Sequence, residues 1–134
     1  MTRDPKLAEA SSMSSVSEDI EPATSGPVTF INVFEVPVEQ IETLIAHWRE
    51  LAKIMSAARG FREARLHRAL SSETRFQIIN VANWESPKAW EAAVANPEFQ
   101  EGLRALAEDT DVQITANPAL YEVVVDYGDP QPPA

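Results

Sequence analysis

The sequence predicts an α+β domain of the ferredoxin-like type, with one antiparallel sheet and helices on one of its faces. Three observations predict it. Residues near position 30 are apolar on both alternating sets of positions, as in a strand buried on both faces. The stretch after them repeats its apolar residues at helical spacing. The elements that follow complete the order β-α-β-β-α(α)-β, the split βαβ arrangement.

The first strand is carried by Val28, Phe30, Asn32, Phe34 and Val36 alternating with Thr29, Ile31, Val33 and Glu35, and Pro37 ends it. Val38, Ile41, Leu44, Ile45, Trp48, Leu51, Ala52 and Met55 then fall on one helical stripe. Gly60 sits where a helix C-cap belongs. Phe61 to Leu70 reads as a second strand, Ser71-Ser72-Glu73 as a turn, and Phe76 to Trp84 as a third strand. Ser86-Pro87 and Asn96-Pro97 each place a capping side chain before a proline at a helix start. The second of these helices carries Phe99, Leu103 and Leu106 on one stripe. Val112 to Thr115 and Leu120 to Tyr127 are strand-like, and Asn117-Pro118 splits them.

The domain therefore runs from 27 to 127. Residues 1–26 are Ser-rich and acidic with Pro5, Pro22 and Gly26 as breakers, which predicts a disordered arm. The proline-rich stretch from Gly128 to Ala134 predicts a flexible tail. With helices on one face, the phase of the alternation leaves Phe30, Phe34, Phe76 and Ile78 on the open face. An exposed apolar face is costly, and packing two sheets face to face buries it. A homodimer is the expected assembly.

A formal net charge of −10 over 134 residues argues against nucleic acid or an anionic membrane as partner, since both need clustered Lys and Arg. The absence of cysteine excludes disulfides, iron–sulfur clusters and thiol catalysis. No apolar run reaches the roughly 18 residues of a membrane span. The N-terminus lacks the apolar core, about 7–15 residues long, of a secretory leader. Together these features predict a cytoplasmic protein. Two His and scattered carboxylates give no metal-ligand spacing. Glycines at 26, 60, 102 and 128 are too dispersed for a phosphate or dinucleotide loop. No nucleophile-elbow motif is present. His47, on the flank of the first helix, reads as a surface residue.

Two asparagines stand out. Asn32 and Asn80 lie in strands otherwise rich in apolar residues, and a side-chain amide there needs hydrogen-bond partners. Three segments carry a family resemblance: Ile31-Asn32-Val33-Phe34-Glu35-Val36-Pro37, Gly60-Phe61 at the start of the second strand, and Asn80-Val81-Ala82-Asn83-Trp84-Glu85-Ser86. From Val28 to Val125 the chain resembles the antibiotic biosynthesis monooxygenase family of dimeric α/β barrels. One class in that family oxidises polycyclic phenols to quinones without metal or flavin, another cleaves haem, and others are isomerase-like or of no assigned chemistry.

The resemblance implies roles by position. The phenol-oxidising class has an Asn and a Trp four residues apart on the third strand, matched by Asn80 and Trp84. An Arg on its last helix matches Arg104, and a His near the end of the second strand matches His67. Its Tyr after the Trp-Glu-Ser step is replaced by Trp90, which cannot exchange a proton as a phenol does. The haem-cleaving class has an Asn on the first strand and a Trp ending the third, matched by Asn32 and Trp84. Its iron-ligating His on the last helix has no counterpart between Phe99 and Leu106.

The reading that follows is a cofactor-independent monooxygenase that uses O₂ on a hydrophobic phenolic or polycyclic substrate. The expected pocket lies between the sheet and its helices, lined by Asn32, Phe30, Phe34, Phe76, Ile78 and Trp90. Asn80, Trp84 and Arg104 hold the substrate anion, and His67 takes the proton. Two alternatives stand beside it. One is a non-catalytic or isomerase-type binder of small ligands on the same fold. The other is a haem-binding or haem-degrading protein.

Overall fold

A computed structural model describes residues 26–128; the expected N-terminal arm up to Ser25 and the tail beyond Gly128 lie outside the described residues. Strands β1 (Val28–Glu35), β2 (Phe61–Arg68), β3 (Ile78–Trp84) and β4 (Thr115–Tyr121) form one sheet in the order β2-β3-β1-β4. Every neighbouring pair is antiparallel. Helix α1 (Ile41–Ser56) follows a short 3₁₀ turn at Val38–Gln40, and α2 (Pro87–Val94) and α3 (Pro97–Glu108) follow β3. The α+β ferredoxin-like class expected from the element order is the class observed.

Local chemistry explains the helix starts. The Ser86 side chain accepts the Ala89 N–H at 3.1 Å, and Asn96 Oδ1 accepts the Glu98 N–H at 2.7 Å. Each cap satisfies an otherwise orphaned donor, and the proline after it has none to satisfy. α1 begins at Ile41, later than the apolar stripe suggested, because Val38 is half-exposed on the 3₁₀ turn. Gly60 is not the C-cap of α1, which Ala57 provides. It lies in the connection to β2 with φ +89°, where its carbonyl accepts the Glu85 N–H at 2.8 Å and a Cβ would stand 2.5 Å from the Ala89 Cβ. Glycine is required there by both backbone and space.

The phase of the alternation is opposite to the one expected for the open face. The odd-even pattern of β1 buries Val28, Phe30, Asn32 and Phe34, and these point to the helices. Ile78, Ala82 and Trp84 of β3 join them. The sequence reading placed Phe30, Phe34, Phe76 and Ile78 on an open face and also on a pocket wall. For Phe30, Phe34 and Ile78 the helix side is the observed one. Both sets of β1 are largely apolar, so composition could not fix the phase. The open face carries Ile31, Val33, Ile79 and Val81, with Ile31 opposite Val81 and Val33 opposite Ile79. At one end of that face Thr29 Oγ1 donates to Asn83 Oδ1, and Asn83 Nδ2 donates to Glu63, both at 3.0 Å.

Phe76 lies before β3, half-buried, with the Arg75 guanidinium 4.9 Å from its ring centroid. The turn is longer than Ser71-Ser72-Glu73. The buried Gln77 amide donates to the carbonyls of Ser71 (2.9 Å) and Thr74 (2.6 Å), so the loop closes over a side chain and β3 starts after it. β2 accordingly stops at Arg68, and Leu70 is fully exposed.

The last strand also differs from expectation. β4 runs continuously through Asn117-Pro118, with Pro118 opposite Asn32 on the edge of the sheet, where a missing N–H is tolerated. Side chains carry the pairing past the proline. Asn32 Oδ1 accepts the Asn117 backbone N–H at 3.0 Å, and the Asn117 side-chain amide donates to the Val33 carbonyl at 3.0 Å. Val112 and Ile114 are buried in the connection before β4 and are not strand. Residues 122–127 leave the sheet, and Val123, Val124, Val125 and Tyr127 are exposed. Among the described residues, no helix is long and apolar enough to cross a membrane.

Candidate functional site

Between the sheet and the helices lies a cavity of about 80 Å³. Its floor is β1 and β3, through Phe30, Asn32, Phe34, Asn80, Ala82 and Trp84. α1 supplies one wall with Trp48, Leu51, Ala52 and Met55, all half-buried. α2 and α3 supply the other with Trp90, Val94, Phe99, Leu103 and Leu106, and Phe61 and Ala64 of β2 close the end. These side chains are apolar except for two asparagines, and none of them is ionisable.

The asparagines are direct cross-strand partners, Asn32 opposite Asn80. Such pairs stand about 4.5–5.5 Å apart at Cβ, so the two amides form one polar spot on an apolar floor. Asn32 is 1% exposed and its Oδ1 is committed to Asn117. What it has left for a ligand is its amide N–H₂. Asn80 is different. Its Oδ1 is buried and has no hydrogen-bond partner. A buried acceptor without a partner costs about 1–3 kcal/mol, and native structures keep few of them.

Four residues along β3 from Asn80, Trp84 is 1% exposed and packs edge-on against Phe61, with centroids 5.3 Å apart. Trp90, also 1% exposed, stacks on Phe30 at 5.6 Å and 29°. Trp90 is thus both core and cavity wall. Of the residues singled out from the sequence, Asn80, Trp84, Asn32, Phe30, Phe34 and Trp90 share this cavity. Ile78 is buried beside it in the neighbouring core cluster, and Phe76 does not reach it.

Two further residues lie elsewhere. His67 of β2 sits opposite Ile79 on the open sheet face, its Nδ1 3.3 Å from the Ile79 carbonyl. Arg104 is exposed on α3, 3.4 Å from Glu101 one turn back. Neither shares the cavity with Asn80 within its own chain. His47 is not a plain surface residue, because its Nε2 lies 2.7 Å from Asp109 Oδ2, both side chains three-quarters buried, and the pair ties α1 to the end of α3. Sequence reasoning missed the α1 wall. Trp48, Leu51 and Met55 look like any core stripe; the pairing of a large aromatic with a flexible Met was the only signal in them.

The cavity does not fit haem. Its lining offers no His, Tyr or Cys to iron, and no cation to a propionate. Among the described residues no three His, Asp or Glu side chains cluster closely enough to hold a metal ion.

The model of the antibiotic biosynthesis monooxygenase family matches residues 27–105. Among solved structures the chain is similar to a proposed monooxygenase of Shewanella loihica, with 33% identity over 78% of this chain and 100% of that one and a TM-score of 0.63. It is similar to SnoaB, a cofactor-independent oxygenase of Streptomyces nogalater, at 23% identity over the same shares with a TM-score of 0.59, a likeness of fold. MhuD, a haem-degrading protein of Mycobacterium tuberculosis solved with two haems in its active site, is 27% identical over 75% of this chain and 99% of that one, with a TM-score of 0.55. No curated protein matches the chain.

Proposed function

We propose, from the premise that the chain belongs to the antibiotic biosynthesis monooxygenase family, that it is a cofactor-independent monooxygenase of neutral, hydrophobic hydroxyaromatic compounds. The observation that carries this reading is Asn80 Oδ1, a hydrogen-bond acceptor left without a partner inside an apolar cavity. A ligand that brings an O–H to it removes the cost of burying it. Asn32 adds donors to the same spot. Trp84 and Trp90 provide aromatic surface on which a ring stacks.

The chemistry then comes from the substrate. An electron-rich phenol or its keto tautomer loses a proton, and the anion reduces O₂. One oxygen atom enters the ring carbon, and the other leaves as water with the two hydrogens the substrate gives up. Since no cavity side chain is ionisable, the proton goes to water entering with the substrate, and the substrate must be acidic in itself. The protein's part is to hold the anion with amide and indole donors in an apolar site, where they act more strongly than in bulk water. Arg104 and His67 take no part in this proposal, because neither reaches the cavity from its own chain.

Size constrains entry. A dry protein cavity that takes up benzene measures about 150 Å³, so one of 80 Å³ opens before it accepts an aromatic ring. We place that opening at the α1 wall, whose residues are half-buried. We further propose that two copies pack through Ile31, Val33, Ile79 and Val81, which would bury the open sheet face.

A second reading is favoured by the lack of an ionisable cavity side chain: a binder or isomerase-type protein with the same pocket. Oxygen uptake with an anthrone- or naphthol-type phenol, in the presence of a chelator and without flavin or nicotinamide, separates the two. Uptake above the uncatalysed rate supports the oxygenase. Binding without uptake supports the binder.

A further inference from the structure

We propose that Gly102 sets the depth of this cavity by giving the Leu51 side chain room to withdraw, and so decides how large a ring system the site accepts. The inference rests on the reading of the cavity as the ligand site. Gly102 lies in the middle of α3, a position where glycine is a poor helix former and calls for a packing reason. The reason is Leu51. A Cβ at position 102 would stand 2.6 Å from Leu51 Cδ2 and 3.7 Å from its Cγ, and apart from the chain neighbours and the helix's own backbone nothing else lies within 4 Å.

Leu51 also lines the cavity, as do Phe99 and Leu103 of the helix that carries Gly102. Its isobutyl group therefore stands between the crevice above Gly102 and the ligand space. The contacted atom is the far end of a flexible side chain, so a methyl at 102 moves Leu51 before it moves backbone. Keeping the group away from water favours the cavity side over the solvent side. In a space of about 80 Å³ the displaced group takes a large share. Larger rings lose more from it than small ones do.

The test compares phenol with 1-naphthol on the full-length chain. All three tryptophans, Trp48, Trp84 and Trp90, line the cavity, so quenching of their emission reports binding of either probe. Gly102→Ala is expected to lower the naphthol-to-phenol affinity ratio by about 10–200-fold, the range set by a methylene-sized misfit in a hydrophobic pocket. Leu51→Ala in the Gly102→Ala background is expected to restore the ratio, which a general loss of stability would not do. An unchanged ratio in Gly102→Ala, or no rescue by Leu51→Ala, overturns the inference while leaving the ligand site standing. Should Gly102→Ala fail to fold, Leu51→Ala alone must shift the ratio towards naphthol, and an unchanged ratio overturns it. If the wild type binds neither probe, the cavity is not a ligand site and both readings fall together.

Discussion

Replacing Asn80 by Leu should stabilise the protein and slow its reaction in one step. The two side chains are close in size, and the swap removes a buried oxygen that has no partner. An unsatisfied buried acceptor costs about 1–3 kcal/mol, which the leucine recovers less whatever strain its branched end creates. In a domain of roughly 100 residues, 1 kcal/mol moves the melting temperature by about 4–8 °C. A rise of about 4 °C or more is therefore expected by calorimetry or circular dichroism. The same variant loses the side-chain N–H₂ that would donate to the developing anion, and loss of one such donor costs about 10²–10³ in rate. The control is Asn32→Leu, one position across the sheet. Asn32 Oδ1 holds the Asn117 backbone N–H beside Pro118, so its removal strands a donor and should lower the melting temperature. A fall for Asn80→Leu as large as that for Asn32→Leu would refute the reasoning, since it would mean that Asn80 is a structural amide.

Other outcomes follow from the same geometry. Gly60→Ala should destabilise by about 1–2 kcal/mol from the left-handed backbone alone, and more from the 2.5 Å approach to Ala89; thermal melting checks it. Ile31→Glu or Val81→Glu, on the open sheet face, should turn a dimer into monomers, because a buried unpaired charge costs several kcal/mol; sedimentation velocity reads the result, and an unchanged dimer would place the interface elsewhere. His67→Ala and Arg104→Gln should leave oxygen uptake unchanged. A large loss in either would show that a second copy brings that side chain to the cavity.

Much of the fold was legible in the sequence because its signals are local. The caps at Ser86 and Asn96 and the stripe on α1 each depend on residues within a turn or two. What escaped depends on contacts far along the chain. The phase of β1 could not be read, since Ile31 and Val33 are as apolar as Phe30 and Phe34. Only the docking of the helices distinguishes the sets. Asn117-Pro118 looked like a strand break because its remedy, the Asn32 amide, lies more than eighty residues away. Gln77, which closes the turn before β3, hid the true start of that strand. For the site, the pattern picked out both asparagines and Trp84 but not that Asn32 and Asn80 face each other, which is a matter of register. The α1 wall was invisible for a simpler reason: a side chain lining a cavity and one filling a core have the same composition.

The central claim is that the orphaned oxygen of Asn80 serves an oxidation that the substrate itself drives. Oxygen consumption per anthrone-type phenol converted, followed with an electrode in the presence of a chelator, tests it most directly. The account predicts one O₂ consumed per quinone formed by the wild type, and a rate for Asn80→Leu lower by about 10²–10³ in a protein that melts higher. Equal rates for the two proteins, or no consumption above the uncatalysed reaction by the wild type, would contradict it.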